Sequence, residues 1–77
     1  MNMALRKARL ANGLTQAELA QILQLSLRGY QRYEYGERNP DIQTAGLMAA
    51  VLGQTVEALF LDKDKKIYID QNNRNKK

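Results

Sequence analysis

The sequence predicts an all-α fold, five short helices in one small domain, and three observations carry that expectation. Apolar residues recur at helical spacing through almost all of residues 1–61. The breaks between those periods fall on glycine, asparagine, proline and residue types that cap helices. The chain also has 77 residues and no cysteine, so neither a disulfide nor a thiolate-bound metal staples it, and helix packing or dimerisation must supply its stability. A chain of this length forms one compact core, and a large enclosed cleft is not expected.

Each element has its own local signals. The first helix, about residues 3–12, places Leu5, Ala8 and the stem of Arg9 on one side, and Gly13 closes it in a left-handed conformation. Thr15 opens the second, where Glu18 three residues on completes a capping box and Leu19, Ala20 and Leu23 form the inner face. Ser26 is a fresh N-cap only three residues after Leu23, so Gln24 and Leu25 must turn a tight corner. The third helix then runs over about residues 27–35 and ends at Gly36. After it, Pro40 disfavours helical geometry at Asn39, and Asp41 caps the fourth helix. That helix, residues 42–52, carries Ile42, Ala45, Met48, Ala49 and Leu52 as its core stripe and closes at Gly53. Thr55 caps the fifth, with Val56, Leu59 and Phe60 inward and Glu57 in the first turn, where its charge suits the helix dipole.

The domain therefore spans residues 1–61, and residues 62–77 form a C-terminal extension. Within it Ile67, Tyr68, Ile69 and Asp70 alternate with strand period, and the remainder is wholly polar. A single short strand must pair with something or stay loose, and the last residues are expected to be disordered.

Composition narrows the chemistry. Histidine and cysteine are both absent, which removes the commonest general base and the thiol nucleophile, so no enzyme, metal site or cofactor is expected. The net charge of +4 is concentrated at the two ends, with +3 in residues 1–14 and +3 in residues 62–77. Such a balance is compatible with nucleic acid or another anionic surface. No apolar run follows Arg6, Lys7 and Arg9 to make a leader or a membrane span, and a cytoplasmic protein is expected.

Two short helices joined by a tight corner, with Ala20 on the first where the second crosses it, form a helix-turn-helix pattern. The string GLTQAELAQILQLSLRGYQRYEYGERNP resembles the Cro/lambda-repressor family, also called the XRE family. Gly13, Leu14, Thr15, Gln16, Leu19 and Ala20 match its Gly-Leu-Ser/Thr-Gln-x-x-Leu-Ala segment. Leu23, Leu25 and Ser26 match its Leu-Gly-Val-Ser segment, and Glu34, Gly36, Arg38 and Pro40 its Glu-x-Gly-x-Arg-x-Pro segment. The resemblance covers about residues 3–61 and implies a compact lambda-repressor-like domain, helices two and three forming the helix-turn-helix. One departure is Gln24, which stands where the family usually has glycine; a left-handed backbone there costs about 1 kcal/mol.

The resemblance also implies roles for the third helix. Residues 30, 33 and 34 share a face, with Tyr30 and Tyr33 as core residues whose hydroxyls reach the rim. Leu27, Arg28, Gln31 and Arg32 point outward as the residues that read base edges in the major groove. Arginine can bond guanine O6 and N7 together, glutamine can do likewise for adenine, and leucine can touch a thymine methyl. Gln16, Tyr35, Arg38 and Asn39 are expected at the DNA backbone, and Arg9 and Glu34 pair in a partly buried salt bridge. Gly29 either lets a phosphate strand approach or is simply tolerated. Beside the core stripe of the fourth helix, Leu47 and Val51 form a second one, which together with Leu61, Ile67 and Ile69 is expected to make a dimer interface or to be covered by the tail. The function so implied is sequence-specific binding of double-stranded DNA by a small homodimeric transcriptional repressor. Its rivals are a protein-interaction module, such as the antitoxin of a toxin–antitoxin pair, and a single-strand binder, which would need Tyr30, Tyr33 and Tyr35 exposed together.

Overall fold

The computed structural model describes residues 1–61, which form five helices: α1 (Met3–Ala11), α2 (Gln16–Ile22), α3 (Leu27–Glu34), α4 (Ile42–Leu52) and α5 (Val56–Phe60). The strand expected around Ile67 to Asp70 and the polar tail lie outside the described residues. α2 packs on α3, α5 packs on both α1 and α4, and α1 reaches across to α3. The apolar faces converge on one core built from Leu5, Leu19, Tyr30, Ala45, Met48, Leu59 and their neighbours.

The starts and stops are local chemistry. The N-cap side chains of Thr15, Ser26, Asp41 and Thr55 each accept a backbone N–H from the first turn, and Thr15 with Glu18 makes the reciprocal capping box. Four helices close in the same way. In each, a left-handed residue stands at the C-cap (α4) or just after it (α1, α2, α3), and the next N–H reaches back to a carbonyl five residues earlier: Leu14 to Arg9, Leu25 to Ala20, Glu37 to Arg32, Gln54 to Ala49. The left-handed residues are Gly13, Gln24, Gly36 and Gly53, with φ of 71°, 60°, 78° and 67°.

Gln24 is thus the non-glycine residue at a position its three counterparts fill with glycine. The tight corner between α2 and α3 keeps the geometry that glycine would adopt, and the glutamine bears the strain. Gln24→Gly should raise stability by up to about 1 kcal/mol. A chemical-denaturation midpoint that falls in this variant would contradict the reading.

Two features depart from the expected core. Ile42, the first residue of α4, is 47% exposed, and Ala45, Met48, Ala49 and Leu52 alone make the buried stripe. Asn2 precedes the expected first helix and is nevertheless its N-cap. Its Oδ1 accepts from Leu5 N–H at 3.0 Å, its Nδ2 donates to the Leu59 carbonyl at 2.9 Å, and its backbone N–H donates to the Glu34 carbonyl at 2.8 Å. One residue so ties the start of α1 to the ends of α3 and α5.

Candidate nucleic-acid interface

The outer face of α3 stands clear of the core. Leu27 is 44% exposed, Arg28 and Arg32 are exposed, and Gln31 is half-buried. Ser26 Oγ accepts the Gly29 N–H at 2.9 Å and fixes the first turn of this face. A Cβ on Gly29 would lie 3.0 Å from that same Oγ, so glycine leaves the cap undisturbed. Arg28, Gln31, Arg32 and Tyr35 line one shallow concavity, and Glu37, which the sequence reading passed over, shares it.

The inner face is organised around a buried carboxylate. Glu34 is 1% exposed and accepts from Arg9 Nε at 2.8 Å, Arg9 Nη2 at 3.0 Å, Tyr30 Oη at 2.6 Å and Gln16 Nε2 at 2.9 Å. Arg9 Nη1 also donates to the Leu14 carbonyl at 2.7 Å. Burial by itself would raise the Glu34 pKa, but the hydrogen bonds from Arg9, Tyr30 and Gln16 outweigh it and hold the carboxyl below its ordinary value. The Arg9 guanidinium is held above its own ordinary value, chiefly by the hydrogen bond to Glu34. Tyr30 is fully buried, and its hydroxyl does not reach the rim as expected; it turns inward to the carboxylate. Burial first, and then that hydrogen bond, raise its pKa. Tyr33 is half-buried against the core, whereas Tyr35 is 39% exposed.

Gln16 connects the two faces. An ionised carboxylate only accepts, so the Gln16 amide must present Nε2 to Glu34. The same Nε2 donates to Tyr35 Oη at 3.2 Å, and Oε1 accepts from Gln31 Nε2 at 3.0 Å. With one Gln31 hydrogen engaged, the other amide hydrogen and the carbonyl oxygen remain for outside partners. A buried ion pair, through Gln16, therefore orients a side chain on the exposed face. Arg38 and Asn39 lie exposed in the loop after α3, and the Arg38 N–H donates to the Arg32 carbonyl at 3.2 Å.

Leu47 is 52% exposed and Leu61 37% exposed, whereas Val51 is half-buried against the core. Ile67 and Ile69 lie outside the described residues. No helix among the described residues is long and apolar enough to cross a membrane.

Five helices, a tight α2–α3 corner and an outward face of arginine, glutamine and leucine on α3 are the architecture of a helix-turn-helix DNA-binding domain. The helix-turn-helix family model matches residues 5–59, and the chain belongs to that family, in its XRE branch. It is 28% identical over 67 residues to a curated Bacillus subtilis (strain 168) protein, the SPbeta prophage-derived uncharacterized HTH-type transcriptional regulator YonR. The matched part is 87% of this chain and 62% of that relative, so the chain spans about three-fifths of the relative's length. No solved structure matches it significantly.

Proposed function

We propose that the chain is a sequence-specific regulator of transcription, a repressor, that binds double-stranded DNA as a homodimer in the cytoplasm with α3 in the major groove. One observation carries the reading: Gln31 is braced from behind by Gln16 and Glu34 while Leu27, Arg28 and Arg32 stand free beside it. An amide fixed in this way loses little rotamer freedom on meeting adenine, and the flanking arginines suit guanine. Tyr35, Arg38 and Asn39 flank the end of α3 and take backbone phosphates, and Gln16 stands at the same edge.

The exposed Leu47, one turn from Val51 on α4, and the exposed Leu61 support a twofold contact, which would set half-sites about one turn, ~34 Å, apart on the operator. An antitoxin-like module would use that apolar face for a different protein and keep DNA binding secondary. A stable heteromeric complex isolated from the native host, in place of a homodimer, would favour that second reading.

Selection of bound duplexes from a random pool supplies the site on which the docking is tested. Arg28→Ala should cost about 1–3 kcal/mol there and relax preference at one base position, whereas Arg38→Ala should weaken all sequences alike and lower the salt slope by about one unit. If both variants bind the selected duplex as the parent does, the docking is wrong.

A further inference from the structure

A groove runs between α1, the turn into α2 and the end of α3, and it brings Arg6 to the same rim as Gln16 and Tyr35. Two of its charged side chains cancel: Arg9 and Glu34 are bound to each other through two hydrogen bonds. Arg6 is the remaining charged side chain of the lining. It is exposed, and no described carboxylate lies within ion-pair distance of it. Its contact is Nη1 at 3.7 Å from Met1 Sδ, a weak acceptor that leaves most of the five guanidinium hydrogens free. Gln16 has both amide hydrogens engaged, by Glu34 and Tyr35, so a phosphate in this groove would look elsewhere for its donors. Helical spacing places Arg6 and Leu10 on one face of α1 and Lys7 on another; Lys7 does not line the groove.

We infer that Arg6 is a further DNA-backbone contact, with a phosphate seated in this groove between its guanidinium and the Tyr35 hydroxyl. The inference rests on the docking of α3 argued above and extends it from the recognition helix to α1. The charge complementarity is specific in place: the neutralised Arg9–Glu34 pair removes the one carboxylate that would repel the anion. Arg6 and Lys7 carry equal charge one residue apart, so a general effect of net charge predicts equal consequences for both, and a seated phosphate does not.

The experiment measures affinity of the full chain for its selected duplex from 50 to 200 mM salt, for the parent, Arg6→Ala, Arg6→Lys, Lys7→Ala and Arg28→Ala. Arg6→Ala should weaken binding roughly five- to tenfold at about 0.1 M salt, equally for selected and unrelated duplexes, and lower the salt slope by ~0.9. Arg6→Lys should keep the slope, and Lys7→Ala should change it much less. Arg6→Ala indistinguishable from Lys7→Ala, with Arg28→Ala still relaxing specificity, would overturn the role of Arg6 alone. A silent Arg28→Ala, together with a silent Arg38→Ala in the docking test above, would overturn the docking itself, and the Arg6 contact with it. Circular dichroism of Arg6→Ala should match the parent because the side chain is exposed; if it does not, Arg6→Gln, which keeps the stem without the charge, takes its place, and a salt slope equal to that of Lys7→Ala then overturns the contact.

Discussion

Glu34→Ala is expected to destabilise the fold by about 3–5 kcal/mol, a large part of the ~5–15 kcal/mol that holds a small domain together. The carboxylate is the shared acceptor of Arg9, Tyr30 and Gln16. Its removal strands the Arg9 charge, whose side chain is 8% exposed, and leaves the Tyr30 hydroxyl without its acceptor in the core. Glu34→Gln should lie between alanine and the parent, because the amide keeps the volume but turns an NH2 group toward at least one donor. A double variant, Arg9→Met with Glu34→Leu, should recover part of the loss, since much of it is the cost of an unpaired buried charge. Urea denaturation at constant slope provides the measurement, and an unchanged midpoint for Glu34→Ala would refute the assignment.

The pH dependence of the same group has a definite sign. Glu34 is held below its ordinary carboxylate pKa, so it binds protons less readily in the folded chain than in the unfolded one. Its contribution to stability is therefore present above the ordinary carboxylate value, about 4.3, and is lost as pH falls through the depressed one. The acid limb of the stability profile should flatten in Glu34→Gln. On the proposed docking, duplex affinity should fall in the same variant, because the Gln16 amide loses the carboxylate that orients it and Gln31 loses its brace.

Most of the fold could be read from the sequence because its punctuation is local. Thr15, Ser26, Asp41 and Thr55 cap from within their own first turns, and Gly13, Gly36 and Gly53 need left-handed backbone whatever packs around them. Partners distant in the chain were harder to see. Asn2 bonds residues 32 and 57 positions away in sequence, and no periodicity announces that. Ile42 has the apolar spacing of a core residue, but exposure at a helix end depends on what lies beyond it, which is a tertiary property. The Gln16–Gln31 contact joins two helices across the corner and depends on Glu34 claiming one side of the amide; glutamine at each position signals polarity and nothing about the link.

Tyr30 provides the second large effect, and here helical phase gave the face but not the direction of the hydroxyl. Tyr30→Ala should cost about 3–5 kcal/mol, since it empties an aromatic site at the centre of the core, where the residue is 0% exposed. Tyr30→Phe separates ring from hydroxyl. A hydroxyl at the rim would be replaced by water almost without loss, whereas one that donates to a buried carboxylate at 2.6 Å should cost about 1.5–3 kcal/mol when removed. The alkaline limb gives an independent reading. The Tyr30 pKa is raised by burial and by the bond to Glu34, so its contribution is fully present below the unfolded phenol value of about 10 and is lost as pH rises through the folded one. Stability of the parent should therefore fall above about pH 10 more steeply than that of Tyr30→Phe. Equal midpoints at neutral pH and parallel alkaline limbs would place the hydroxyl in water, and the four-donor arrangement around Glu34 would have to be redrawn with three.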